Sequence, residues 1–202
     1  TDIISHNYVY GGHIFNEDIF NIQDNTNIHG YFQCEKYFSF CRDYILENLQ
    51  FKPNNIKQGT QLFADLHILP EETTSVHIRR GDYLKKSQFH PVQPVEYFKS
   101  SISNLKNKNY LFFSDDIEWC KRVYGNNPNV YFSVNNNPFV DMYAMSKCKD
   151  NIIANSSFSW WGAWLNKNKN KRVIAPKNWF GEAGIKRGYN SRDIIPDTWI
   201  KI

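Results

Sequence analysis

From about residue 74 onward the chain repeats one pattern that leaves little choice of fold. A short run of apolar, β-branched or aromatic residues is followed by a polar break and then by a stretch with helical periodicity. The runs fall at 75–78, 110–113, 130–132, 151–154 and 172–175, and the helical stretches at 95–105, 117–124, 139–147 and 158–165. Such runs read as strands, and apolar residues recurring every three or four positions read as amphipathic helices. Strands that alternate with helices have to be joined by crossovers. The predicted architecture is therefore α/β: a parallel, Rossmann-like sheet with helices on both faces.

The part before this repeat is less regular. Residues 1–30 alternate aromatic and polar residues around Gly11-Gly12. From Glu35 to Leu49 the spacing of Phe38, Cys41, Ile45 and Leu49 predicts one helix with a buried stripe, ended by Pro53. A second helix is predicted over 59–69, leading to Pro70 and the first strand of the repeat. With 202 residues, 41% of them hydrophobic and 16% aromatic, the chain can bury a real core, which excludes a disordered chain. Cys34, Cys41, Cys120 and Cys148 form no C-x-x-C pair and have no histidines at zinc spacing, so they read as buried free thiols. The Asn135–Asn137 run reads as a turn.

A net charge of +4 falls short of the dense basic runs of a nucleic-acid binder and suits a pocket for an anionic ligand. No stretch approaches the roughly 20 apolar residues of a membrane helix, and no signal segment opens the chain. The first residue, Thr1, leads us to expect a trimmed or missing natural N-terminus, in which any membrane anchor would lie. The expected location is cytoplasmic or membrane-associated, Golgi-type in a eukaryote.

Open α/β sheets bind ligands at the carboxyl ends of their strands, where loops meet helix N-termini. Three polar clusters are predicted on that edge. The first, His77-Ile78-Arg79-Arg80-Gly81-Asp82-Tyr83, straddles the end of a strand; its guanidinium groups match phosphate oxygens, Gly81 permits a sharp turn or close approach, and Asp82 can hold one arginine. A bare surface ion pair or an adhesion-type Arg-Gly-Asp loop are its bland alternatives. The second, Ser114-Asp115-Asp116, offers either an N-cap, a ribose-binding carboxylate or, with little support from its surroundings, a metal ligand. The third, Asn155-Ser156-Ser157 with Ser159, offers hydroxyls and amides for an anion or sugar, or simple capping. Asn155-Ser156-Ser157 also fits the N-glycosylation pattern, which partial burial would close off. Asp141, in a largely apolar helical stretch, is either a guanine-reading carboxylate or a first-turn residue favoured by the helix dipole. Trp160, Trp161 and Trp164 are core residues or a stacking surface for sugar.

These residues resemble the three ordered motifs of the α-1,2-fucosyltransferases, glycosyltransferase family 11, and Gly30-Tyr31-Phe32-Gln33 with Glu35-Lys36-Tyr37-Phe38 resembles the segment that precedes them there. The resemblance covers about residues 28–180. It implies a GT-B-type architecture, with residues 1–72 as the C-terminal part of an acceptor-side domain and 73–202 as the Rossmann-like GDP-fucose-binding domain. It further implies inverting transfer of L-fucose from GDP-β-L-fucose to the 2-hydroxyl of a galactoside, with no required metal and no cofactor beyond the donor. By resemblance, the catalytic residues are Arg79, Arg80 and Asp82. Donor binding would fall to His77 and Asp141 at guanine, Ser114, Asp115 and Asp116 around ribose, Arg79 and Arg80 at the diphosphate, and Asn155, Ser156 and Ser157 at phosphate. The family's Gly-Asn-Gln segment has no match, Gly11-Gly12-His13 being a poor substitute, so the acceptor-side domain is expected to be incomplete. Rival readings are a fucosyltransferase with a protein or chito-oligosaccharide acceptor and a non-catalytic carbohydrate-binding protein. A P-loop hydrolase lacks its Gly-x-x-x-x-Gly-Lys-Ser/Thr.

Overall fold

The protein is described by a computed structural model covering residues 6–202. Two short strands, β1 (His6–Tyr10) and β2 (Thr26–Gly30), pair in parallel as a separate ribbon. Helices α1 (Arg42–Asn48) and α2 (Pro53–Asp65) follow. Then come β3 (Thr73–Ile78), α3 (Val95–Leu105), β4 (Asn109–Ser114), α4 (Ile117–Tyr124), β5 (Val130–Phe132) and α5 (Pro138–Lys147). The chain finishes with β6 (Asp150–Ile152), α6 (Ser157–Trp164), β7 (Val173–Ala175), α7 (Glu182–Lys186) and β8 (Ile200–Lys201).

Strands β3 to β8 form one sheet in the order β5-β4-β3-β6-β7-β8, and every pairing is parallel. Both faces are covered, as the alternation of strands and helices requires. Val76, Ile78, Tyr110, Phe112, Ile152 and Ile174 pack beneath α3 and α4. On the opposite face Leu111 and Phe113 meet α2 and α5, while Ile153, Val173 and Ala175 meet α6. The chain builds outward from β3 in one direction and, after α5, returns to build outward from β6 in the other. A crevice therefore opens outside the carboxyl ends of β3 and β6, where the winding reverses.

Several expectations are corrected. The segment 35–49 is not one helix: it forms 3-10 turns at Glu35–Tyr37 and Ser39–Cys41 before α1 begins. Phe38, at φ −148° and ψ 3°, leaves the helical region and breaks the run. Leu46 is buried in place of Leu49, which is half exposed. Pro53 does not end a helix but occupies the first position of α2, where its missing N–H costs nothing. That helix ends at Asp65 rather than 69, closed by His67 in the left-handed region at φ 53°. All four cysteines are free thiols, three of them buried. No helix among the described residues is long and apolar enough to cross a membrane.

The N-terminal segment is held to the sheet by side chains rather than by strands. Buried Asp193 accepts from Lys36 Nζ at 2.8 Å and from the Phe15 amide at 3.0 Å, and pairs with Arg192 at 3.2 Å. Trp164 Nε1 donates to Glu35 at 3.0 Å, and Arg42 donates to the Trp164 carbonyl at 2.7 Å. Burial alone would raise the Asp193 pKa, but the bonds from Lys36, Phe15 and Arg192 outweigh it and bring it down to about 2.

A carboxylate depressed in this way contributes stability that is complete above its ordinary pKa of about 4 and is lost as pH falls through about 2. Asp193→Asn is expected to lower the unfolding free energy at pH 7 by about 2 kcal/mol in urea titrations. It should also flatten the acid limb of the stability profile; an acid limb identical to that of the unaltered protein would contradict the assignment.

Candidate functional site

Strand β3 ends at Ile78, and the next residues turn over the carboxyl edge of the sheet. Arg79 bonds Asp82 through Nη2 at 2.7 Å and Asp115 through Nε at 3.1 Å. Arg80 bonds Asp116 through Nε at 3.0 Å, its backbone N–H donates to Asp115 at 2.9 Å, and its guanidinium lies 4.0 Å over the Trp119 ring. These bonds leave the Nη groups of Arg80 without a partner among the described residues. Gly81 is needed for closeness, since a methyl group there would run into the Asp115 carboxylate.

Charge in this loop is self-consistent. Burial would lower the Arg79 pKa, but Asp82 and Asp115 outweigh it and raise it above its ordinary value. Asp82 is held below the usual carboxylate range chiefly by Arg79, and Asp116 chiefly by Arg80. Two guanidinium groups thus face three carboxylates, Arg80 held through Nε and Arg79 through both Nε and Nη2.

Asp82 holds one arginine, Arg79, as the sequence suggested, and Asp116 holds Arg80. Asp116 also caps α4, accepting from the Trp119 amide at 3.3 Å, while Ser114 Oγ accepts from the Asp116 amide at 3.0 Å. The capping reading and the arginine pairing are therefore both realised. His77 lies within β3 itself, buried, with its ring 5.4 Å from Phe158 and Nδ1 unpartnered. Burial first, and the charge of Arg79 second, lower its pKa to about 3, so the imidazole is neutral.

Asp141 sits in the first turn of α5, beyond the end of β5. Its carboxylate accepts from Ser133 Oγ at 2.6 Å, and Ser133 in turn accepts from Asn136 at 2.8 Å. Burial pushes its pKa up to about 6, against the opposing pull of the Ser133 bond. On the other side of the crevice, Asn155 is buried and donates to the Trp179 carbonyl at 2.9 Å, which closes off the glycosylation pattern. Ser156 is the N-cap residue of α6, and Ser157, exposed, opens that helix with its free amides toward the edge. Ser159 is turned inward to the Ser156 carbonyl at 3.3 Å and serves the helix. Trp160 and Trp164 are core, whereas Trp161 is partly exposed and stacked on Phe38 at 5.4 Å.

Strand order converts these clusters into a line. With neighbouring strands about 4.8 Å apart, Asp141 beyond β5, Asp115 and Asp116 beyond β4, Arg79 and Arg80 beyond β3, and Ser156 and Ser157 beyond β6 span about 14 Å. Sequence reasoning missed Trp119 as the platform for Arg80, Ser133 as the partner of Asp141, and Tyr83. The Tyr83 hydroxyl donates to the Asn155 carbonyl at 3.0 Å and ties the arginine loop to the start of α6. Only Tyr83 carried a local signal, its place in the arginine motif.

The family described as Glycosyl transferase family 11 matches residues 2–202. The O-antigen biosynthesis glycosyltransferase WbnK of Escherichia coli is 38% identical over 198 residues, covering 90% of this chain and 62% of that protein. An alpha-1,2-colitosyltransferase of Escherichia coli is 39% identical over 184 residues, covering 86% of this chain and 61% of that one. The chain thus spans about three fifths of the length of these relatives. Among solved structures, NodZ alpha-1,6-fucosyltransferase soaked with GDP-fucose has the same fold at a TM-score of 0.56, with 16% identity, over 79% of this chain and 58% of that one. The fold likeness agrees with the GT-B-type parallel sheet expected from the sequence.

A carboxyl group raised by burial contributes stability below its ordinary pKa of about 4 that is lost as pH rises through about 6. Carbon-13 titration of the Asp141 carboxyl is expected to give a midpoint near 6, moving higher in Ser133→Ala. Asp141→Asn should stabilise the fold at pH 7 but not at about pH 4. A midpoint at the ordinary carboxylate value would refute the burial argument.

Proposed function

This chain belongs to glycosyltransferase family 11, and from that premise we propose that it binds a GDP-activated sugar along the carboxyl edge of its sheet for transfer of L-fucose to the 2-hydroxyl of a galactoside. The observation that carries this reading is the spatial order of the site. Strand order sets out the Asp141 carboxylate, a pair of carboxylates, two arginines and a helix N-terminus in a line, which supports binding of base, ribose, diphosphate and sugar in that order. Its span of about 14 Å suits an extended nucleoside diphosphate.

In this reading Asp141 takes the N1–H and exocyclic amine of guanine, while His77, buried within β3 against Phe158, backs the site from inside the sheet. Ribose hydroxyls reach Asp115 or Asp116, with Ser114 behind them. Arg79, Arg80 and the Ser156 and Ser157 amides hold the diphosphate, with Asn155 fixing the start of α6. As the glycosidic bond breaks, the sugar becomes cation-like while negative charge grows on the β-phosphate. Arginines fixed in advance stabilise that developing charge more than the ground state, and lower the barrier accordingly. Asp82, held at low pKa by Arg79, is a weak base, which suits it to positioning an arginine rather than taking the acceptor's proton. The reading includes no divalent cation, as the family resemblance implies.

A second donor is favoured by one observation, the 39% identity to an alpha-1,2-colitosyltransferase. Colitose is fucose without its 3-hydroxyl, so the same diphosphate and guanine contacts would serve GDP-colitose. Direct competition of GDP-fucose and GDP-colitose for transfer to a galactoside panel, with linkage analysis of the products, decides between them.

Calorimetry is expected to show GDP bound in preference to ADP and UDP; a carbohydrate-binding protein would ignore all three, and the lack of a GDP preference would overturn the transferase reading. Arg80→Ala should weaken GDP binding at least tenfold, roughly the loss of one charge-assisted phosphate contact, and abolish transfer. Near-normal transfer by that variant would remove the arginine from the mechanism. Turnover is expected to persist in EDTA, and loss that Mg²⁺ or Mn²⁺ restores would reassign Asp115 and Asp116 as metal ligands.

A further inference from the structure

We propose that the aromatic cavity between residues 31–38 and the start of α6 is the subsite for the donor's 6-deoxy sugar, its C6 methyl group packed against the ring walls. The assignment rests on the GDP-sugar reading above and adds to it the place and chemistry of the sugar.

The cavity has a volume of about 100 Å³, room for one edge of a sugar ring and not for a glycan chain. Phe32, Phe38, Trp160, Trp161 and Trp179 supply apolar walls, and Tyr31, largely exposed, forms the outer lip. The Trp160 N–H is already bonded to the Ile194 carbonyl at 2.8 Å, so that ring offers its apolar surface. Gln33 and Ser157 are the side-chain amide and hydroxyl in this lining. A wall of rings with a few polar groups among them suits a sugar that has one apolar edge and hydroxyls elsewhere. A 6-deoxy sugar is such a ligand, because a methyl replaces its hydroxymethyl group.

Position supports the same occupant. Ser157 belongs both to the cavity lining and to the first turn of α6, where the diphosphate is placed in the reading above. A sugar joined to that diphosphate lies one bond further on. The two sites are also mechanically joined: Tyr83 of the arginine loop bonds the Asn155 carbonyl, and the Asn155 side chain bonds the carbonyl of Trp179 in the cavity wall.

The wall itself is held under backbone strain. Phe32 lies in the left-handed region at φ 47°, a conformation that costs a bulky residue free energy and that persists where surrounding structure enforces it. The Cys34 amide closes this turn onto the Phe32 carbonyl at 2.8 Å, and the Phe32 ring packs against Tyr10 and Tyr37. The Gly30–Phe38 segment, singled out in the sequence, thereby gains a role that the nucleotide contacts do not use.

The test compares GDP, GDP-fucose and GDP-L-galactose, the last differing from GDP-fucose only by a hydroxyl at C6, in calorimetry on the protein and on Tyr31→Ala and Trp161→Ala. The unaltered protein should prefer GDP-fucose to GDP-L-galactose by about tenfold or more, in the range that apolar pockets achieve against an added polar group. Both variants should bind GDP within about twofold of the unaltered protein, which also certifies their fold, while the preference shrinks to about threefold or less. An undiminished preference in both variants overturns the subsite. So does intact GDP-fucose affinity with a raised KM for galactoside, which would make the cavity an acceptor site. Failure of the unaltered protein to bind GDP overturns the nucleotide-sugar reading and this subsite together, and because GDP carries no sugar the two failures are told apart.

Discussion

Strand β3 is the member from which the rest of the molecule takes its position. Its six residues are all buried, β4 pairs with it along its full length, and β6 pairs with it on the other side. A strand buried on both faces has to satisfy every polar group internally. Here Ser75 is served by Asn151, and Asn151 by Asn166, at 2.6 and 2.9 Å, and His77 Nδ1 is the exception. At the amino edge Asn107 joins Thr74 to Asp150, and Arg172 pairs with the same carboxylate. A slip of one residue would break each of these bonds and turn Val76 and Ile78 away from α3, so the register of the central strands is fixed by polar as well as apolar demands. With the register fixed, the arginine loop leaves the sheet at one place only.

That loop illustrates how a basic motif can be preorganised without being strongly positive. Asp82, Asp115 and Asp116 outnumber the two guanidinium groups they face, and they reach them from different directions. The carboxylates hold Arg80 at Nε and Arg79 at Nε and Nη2 and set their orientation, while the Trp119 ring supports Arg80 from one side. An anionic ligand then meets donors that need little reordering, and the cost of fixing two long side chains has been met during folding.

The N-terminal segment contributes no strand to the main sheet, yet it completes one wall of the cavity at the crevice. Its attachment runs through a few specific bonds: Asp193 to Lys36 and to the Phe15 amide, and Trp164 to Glu35. Helix α6 is central to this arrangement. Its N-terminus faces the crevice beside Asn155, and near its C-terminus the Trp164 indole and carbonyl grip Glu35 and Arg42. Half-buried Lys171 closes the same end of the helix, donating to the Ala163 carbonyl at 2.8 Å, and its partial burial lowers its pKa to about 7.

The alternation of strands and helices from β3 to β7 was legible in the amino-acid sequence because each element carries its own period and each polar cluster follows a strand. The same local logic identified the arginine motif, Ser114-Asp115-Asp116 and Asn155-Ser156-Ser157 as residues of one edge, and Asp141 as an acid within a helix. It failed where pattern and backbone part company. The apolar spacing of 35–49 fits a helix, but the backbone at Phe38 leaves helical geometry, and Pro53 is compatible with a helix start as well as a stop. Strand β8 has two residues, too few for any periodicity to show. Only the tertiary structure decided which carboxylate holds which arginine, how deep His77 lies, and that Tyr31 and Phe32 meet Trp161 and Trp179 around a cavity. These are relations between residues far apart in the chain, set by strand order and packing, and sequence spacing carries no information about them.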